Sequence, residues 1–233
     1  MGEKMKLAVC LSGQPRLFKK GFKSLNEHIL SKYDCDVFIF TWDNKIGNIK
    51  KNQSFRHDDE GSLGEYLKLY NPKSSEIENY TQKKEDFFVK KEQEYGVLRE
   101  DNFVRRYLAM LYGIFRANEL ANQYSKAFGT KYDYFLRCRS DVEYGNFELR
   151  KSSLVIDGFG NGTGAGQPGD IFAYGTPERM TEYAKLHLLV DKYFYEDKII
   201  PNTEILLAHH LKSSKIAHET CNHVIGVFRP ETW

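Results

Sequence analysis

Two apolar runs, Leu7-Ala8-Val9-Cys10-Leu11 and Cys35-Asp36-Val37-Phe38-Ile39-Phe40-Thr41-Trp42, are separated by one helix-length segment, and that spacing limits the fold more than any other feature. A strand that is apolar on both faces needs cover on both faces, as in the parallel sheets of α/β proteins. Between the runs Phe18, Phe22, Leu25 and Ile29 recur at helical spacing, so an amphipathic helix is expected over about 17–30. Strand, helix and strand joined by short loops make a right-handed crossover, which pairs the two strands in parallel. The first run ends in Ser12-Gly13-Gln14-Pro15-Arg16, a small-residue turn where a base or ribose could approach the backbone. Arg16 would stand near the helix N-terminus, pointing toward phosphate. The plain alternative is a strand-to-helix turn.

A third buried strand is expected in Lys131-Tyr132-Asp133-Tyr134-Phe135-Leu136-Arg137-Cys138-Arg139-Ser140-Asp141-Val142-Glu143. Alternation puts Phe135, Arg137, Arg139 and Asp141 on one side, joined by Glu143 if the chain stays extended; Leu136, Cys138 and Val142 face the other way. Two cations and two anions would then converge at the strand's C-terminal end, where open α/β sheets bind ligands. Carboxylates at i and i+2 can approach a hard divalent ion such as Mg²⁺ or Mn²⁺ from one side, while arginine forks meet the remaining phosphate charge. The bland reading is that Arg139 and Asp141 pair and stabilise the strand end.

The remaining segments fill out an α/β chain. Residues 45–60 are polar and aperiodic and read as a loop or insertion, in which His57-Asp58-Asp59 is a solvated charge run. Leu63, Tyr66, Leu67 and Tyr70 suggest a short helix ending before Asn71-Pro72. Residues 77–94 are rich in Lys and Glu and leave a strand plus helix, or a flap, open. The strongest period runs over about 101–128, through Phe103, Tyr107, Ile114, Ala117, Ala121 and Tyr124 to Gly129. Short strands are expected at 147–149, 154–156 and 171–175. Between them, Gly158 to Gly169 is half glycine and reads as a lid or acceptor-side loop that opens on Asp170. Thr176-Pro177-Glu178 starts a helix to about 195, and Pro201-Asn202 starts another over 203–211 with Glu204 in its first turn. There the helix dipole alone would explain the acid; a general base presented to a hydroxyl is the sharper reading. His209, His210, His218 and His223 follow as candidates for a third metal ligand.

Composition narrows the function. With 233 residues, a net charge of +2 and 28% charged side chains, the chain is of ordinary globular type, without the bulk positive charge of a nucleic-acid binder. The four cysteines, Cys10, Cys35, Cys138 and Cys221, form no C-x-x-C pair and suit a reducing compartment. The apolar run near the start is too short for a signal segment or a membrane span, so a cytoplasmic protein without a transmembrane segment is expected. The acceptor triplets at Asn52, Asn79 and Asn161 are then chance. Sugar rings pack on aromatic faces, and 15 Tyr and 16 Phe are suggestive in that respect, although most belong to a core.

Taken in order, S-G-x-x-R, D-V-F-I-F-T-W, M-L-Y-G-I-F-R-A-N-E-L, Y-D-Y-F-L-R-C-R-S-D-V-E, G-D-I-F-A-Y-G and P-N-T-E-I-L-L-A-H-H-L resemble glycosyltransferases of the GT-A type. Among them the chain looks most like the compact polysaccharide-modifying transferases of bacteria and large DNA viruses. The resemblance spans about 6–216 and is weakest over 44–99. It implies a single domain with a mostly parallel, Rossmann-like central sheet flanked by helices. A nucleotide-binding half would cover about 6–143, with a variable insertion at 44–99, and an acceptor-side half about 144–233. It also implies a metal-dependent transfer from a nucleoside-diphosphate sugar to a glycan or other hydroxyl acceptor. Ser12, Gly13 and Arg16 would line the nucleotide pocket, and Arg137 and Arg139 would sit beside the diphosphate. Asp141 and Glu143 would stand for the family's D-x-D metal motif, holding Mn²⁺ or Mg²⁺, with Glu replacing the second Asp. Asp170 would face the donor sugar or acceptor, and Glu204 would be the base if the anomeric centre inverts. A sugar nucleotidyltransferase and a non-catalytic carbohydrate-binding module are the competing readings.

Overall fold

A computed structural model describes residues 5–43, 61–79, 81–96, 103–158 and 168–228. The expected crossover is present: β1 (Lys6–Ser12) and β2 (Asp34–Asp43) pair in parallel, linked by α1 (Phe18–Leu25) and one π-helical turn over Asn26–Leu30. Next come α2 (Leu63–Tyr70), β3 (Ser74–Asn79), α3 (Gln82–Glu94) and the long α4 (Phe103–Phe128). β4 (Tyr134–Cys138), β5 (Val142–Tyr144), β6 (Leu154–Asp157) and β7 (Ala173–Gly175) lead to α5 (Pro177–Ala184). α6 (Leu186–Tyr195), α7 (Thr203–Ser213), β8 (Glu219–Cys221) and β9 (Val224–Val227) complete the described chain.

The main sheet has the order β3-β2-β1-β4-β7-β6-β8, and β5 pairs with β9 in a separate two-stranded sheet. Within the main sheet β7 is antiparallel to both of its neighbours, β4 and β6, and the other pairings are parallel. The chain is thus α/β with a mostly parallel sheet. Reversal of β7 has a functional consequence, since the segment entering β7 lies at the same sheet edge as the C-terminal ends of β1 and β4.

Alternation along the strands builds two apolar layers. Ala8, Cys10, Phe38, Phe40 and Phe135 pack beneath α4, α5, α6 and α7, whereas Leu7, Val9, Leu11, Leu136 and Cys138 pack against α1, α2 and the small sheet. Burial on both faces explains why these strands read as continuous apolar runs. α4 comes close enough to the sheet that a Cβ on its Gly113 would stand 3.3 Å from the Phe40 ring and 3.6 Å from Ser12 Cβ.

Several boundaries differ from expectation, each for a visible reason. The lysine- and glutamate-rich stretch resolves into strand plus helix, with Glu76 and Glu78 at the edge strand paired to Arg116 and Lys84. Residues 147–149 form no strand. Side-chain hydroxyls take backbone donors at the end of this segment instead: Leu149 N–H donates to Tyr33 Oη and the N–H of the next residue, Arg150, to Tyr174 Oη. The helix begun by Thr176, whose hydroxyl accepts from Arg179 N–H, breaks once at Lys185 into α5 and α6. Strands β8 and β9 were not anticipated. Their corner is organised by Asp157, fully buried, whose carboxylate accepts from His223 N–H at 2.6 Å and Val224 N–H at 2.9 Å. The His57-Asp58-Asp59 run and most of the glycine-rich stretch, 159–167, lie outside the described residues.

Candidate functional site

β4 ends one residue before Arg139 because that residue's backbone leaves the ladder. Arg139 N–H donates to Tyr144 Oη at 3.0 Å, and the same hydroxyl donates to Arg139 O at 2.9 Å. A buried tyrosine five residues downstream therefore ties off the strand and turns the chain through Ser140 and Asp141 into β5. The turn is fixed from its other sides as well: Ser140 Oγ donates to Gln14 O at 3.1 Å, and Phe228 N–H donates to Asp141 O at 2.8 Å. Replacing Tyr144 by Phe removes both hydroxyl contacts and leaves the Arg139 amide and carbonyl without them. We expect a loss of about 2 kcal/mol in urea unfolding with the m-value unchanged.

Asp141 is 3% exposed and sits between two arginines. Arg139 donates from Nε to Oδ1 at 2.8 Å and from Nη2 to Oδ2 at 2.7 Å, and Arg16 Nη2 donates to Oδ2 at 2.9 Å. Burial opposes ionisation of this carboxyl, but the two guanidinium groups outweigh it and hold the carboxyl below the usual aspartate range.

Glu143 does not join this cluster. The turn at 139–141 breaks the alternation, so Glu143 projects to solvent from β5, between buried Val142 and Tyr144 and opposite Gly226. The carboxylate pair read from the D-x-E spacing is therefore absent as a shared site. Among the described residues no group of three or more His, Cys, Asp or Glu side chains is placed to hold a metal ion. The histidines are engaged elsewhere. His210 lies between Tyr193 Oη and Glu182 O, His209 meets Asp197, His223 Nδ1 meets Asn146 O, and His218 is exposed. One carboxylate whose oxygens already accept three guanidinium hydrogen bonds does not fit a resident Mn²⁺ or Mg²⁺ ion.

Other expected residues do come together. Ser12 closes β1 with its hydroxyl buried and unbonded, and both amide atoms of Gln14 are likewise buried without a partner among the described residues. Gly13 has φ +117, a conformation suited to glycine, and a Cβ built on it would meet nothing within 4 Å. Leu17, the N-cap of α1, is held in the left-handed region at φ 44 and provides no side-chain cap for the helix. Strain of this kind concentrates at functional sites. Asp170, at the entry to β7, is close enough for its charge to act on Arg137, Arg139, Tyr183 and Glu204. Glu204 stands in the first turn of α7, half-buried. Burial pushes its carboxyl above the usual glutamate range, and the charge of Asp170 adds to the effect.

Arg137 differs from its neighbour two residues on. It is 2% exposed, and Nε, Nη1 and Nη2 make no hydrogen bond to any described residue. Its guanidinium lines a narrow cavity with Asn118 of α4 and Met180, Tyr183 and Ala184 of α5. Burial lowers its pKa from the usual arginine value.

The sequence reading missed Gly21, Tyr144 and the cavity residues Asn118 and Tyr183. Gly21 carried a signal, since a glycine inside an amphipathic helix marks a close approach. Here it faces the turn itself, and a Cβ would fall 1.7 Å from Ser140 O. Comparison of the sequence with protein-family models and with curated proteins finds no match.

Proposed function

We propose that the chain is a GT-A type glycosyltransferase that moves a sugar from a nucleoside-diphosphate sugar to a hydroxyl of a glycan or similar acceptor. The observation that carries this reading is the meeting of Arg16, Arg137 and Arg139 with Asp170 and Glu204 at one edge of a mostly parallel sheet, outside the ends of β1 and β4. Cations on one side and a carboxyl of raised pKa on the other are what transfer from a diphosphate requires.

In this proposal the nucleoside lies over Gly13, where the backbone leaves open space, with the Ser12 hydroxyl and Gln14 amide, which bond to no described residue, as polar contacts. The diphosphate takes the forks of Arg16 and Arg139, which are geometrically suited to phosphate oxygens. Glu204 accepts the acceptor's hydroxyl proton as the acceptor oxygen bonds to the anomeric carbon. The bond from that carbon to the β-phosphate oxygen breaks, and the diphosphate leaves with the bonding pair, its growing charge met by the two arginines. Asp170 orients sugar or acceptor between Arg137 and Glu204. No ion is assigned a step, because the donor set around Asp141 is already satisfied by arginine.

The test is incubation with separate nucleotide sugars and a hydroxyl acceptor, scoring released nucleoside diphosphate. Pyrophosphate release from a nucleoside triphosphate and a sugar phosphate would mark a nucleotidyltransferase instead, and silence with every donor a binding module. Because Glu204 must be ionised to accept a proton, and its carboxyl titrates above the usual range, turnover rises with pH through that raised value. Glu204→Gln removes this acid limb and lowers kcat by about 10²–10⁴-fold with little change in donor affinity. An unchanged pH profile in that variant would take Glu204 out of the reaction.

A further inference from the structure

Arg137 is the one cationic group of the site that the described residues leave without a hydrogen-bonding partner. It lies inside β4, two residues before Arg139 and about 7 Å deeper into the sheet along the strand, close enough for the charges of Arg139 and Asp170 to act on it. Arg16 and Arg139 already serve the rim, where a diphosphate would rest. A buried guanidinium with no counter-charge in contact is unfavourable, and a nearby hydroxyl would give it a hydrogen bond without neutralising it. The 159–167 segment, which leads into Asp170, contains no Asp or Glu in its sequence that could supply the charge from the chain itself. We infer that Arg137 seats the carboxylate of an acidic sugar, so that the donor is a nucleotide-activated hexuronate and not a neutral hexose.

Three features favour a carboxylate over other anions. The cavity beside Arg137 is narrow and mostly apolar, lined by Cys10, Ile114, Phe135 and Met180, and has room only for a small polar group, so a sugar ring would have to stay outside it. The planar fork of arginine matches a carboxylate with two parallel hydrogen bonds. A hexuronate carries that group on C5, separated from the anomeric carbon by the ring oxygen and directed away from the ring, so it can point inward to Arg137 while the diphosphate stays with Arg16 and Arg139. This inference rests on the glycosyltransferase reading and specifies its substrate class.

The experiment compares matched donors by calorimetry, UDP-glucuronate against UDP-glucose and GDP-mannuronate against GDP-mannose, each beside its bare nucleoside diphosphate. In at least one pair the acidic donor binds tenfold or more tightly than its neutral partner. Arg137→Met removes that difference and leaves the Kd of the nucleoside diphosphate within twofold, in a protein whose melting temperature is no lower than the parent's. Arg137→Lys, which keeps the charge but not the fork, retains part of the preference. Equal binding of acidic and neutral donors overturns the inference and leaves the transferase reading intact. An Arg137→Met variant that weakens the bare diphosphate as much as the sugar nucleotide also overturns it, because Arg137 would then be a phosphate ligand. Failure of every nucleotide to bind overturns the transferase reading itself.

Discussion

Asp141→Ala destabilises the fold by about 3–5 kcal/mol, because it leaves the Arg139 and Arg16 guanidinium groups facing each other without their shared anion. A carboxylate that served only to hold a metal ion could be removed with the fold intact, but this one is buried at 3% exposure between two cations. For a chain of this length such a loss lowers Tm by roughly 10 °C or more. Inorganic pyrophosphate should then raise the melting temperature of the variant by more than it raises that of the parent, since it replaces the missing charge. The pH dependence follows from the lowered pKa. The pairing is fully present above the ordinary aspartate value and is lost as pH falls through the lower folded value, so its stabilisation is intact at neutral pH and disappears only under strong acid. A variant of parental stability at pH 7 would show that the two arginines are compensated by other groups.

The second large effect is expected at Gly21. A Cβ there falls 1.7 Å from Ser140 O and 2.7 Å from Ser140 C, and both are backbone atoms of the turn that carries Arg139 and Asp141. No side-chain rotation can relieve the overlap, so α1 and the turn must separate. Overpacking of this kind costs about 3 kcal/mol, even though alanine is the better helix former by roughly 1 kcal/mol. Because the turn and Arg16 move apart together, Gly21→Ala also weakens nucleotide binding by an order of magnitude or more. Crystallography of the variant would show the Arg16 to Asp141 contact lengthened beyond hydrogen-bond range. An undisturbed contact and parental stability would mean that the close approach has no bearing on the site.

The parts of the fold legible in the sequence are those where one local period dominates. β1 and β2 are continuous apolar runs buried on both faces and α4 repeats its apolar residues at a spacing of 3.6, and tertiary structure did not override them. The break after Cys138 was not legible, because Arg-Cys-Arg-Ser-Asp-Val-Glu alternates as a continuing strand would. What stops the strand is the Tyr144 hydroxyl, a tertiary contact without a period. Extrapolating the alternation through that turn placed Glu143 beside Asp141. Strands β8 and β9 were invisible for a related reason, as they are three and four residues long and are organised by the Asp157 carboxylate from a distant strand. The structure brings the candidates Arg16, Arg137, Arg139, Asp141, Asp170 and Glu204 to the edge where β1 ends at Ser12, next to Gly13, although Asp141 meets two arginines there and Glu143 stays outside. Most flank the ends of strands or the start of a helix, where the topology of an α/β sheet gathers functional groups. The reversal of β7, which brings Asp170 to that edge, could not be read from the residues.

The central claim is that the edge outside β1 and β4 receives a nucleoside diphosphate between Arg16 and Arg139. Its most direct test is a crystal structure of the protein soaked with UDP or GDP. The account predicts the diphosphate in bidentate contact with both arginines, with the nucleoside over Gly13 and Ser12. Density for the nucleotide at another place, or a site without nucleotide in which Arg16 and Arg139 still grip Asp141 at saturating ligand, would contradict it.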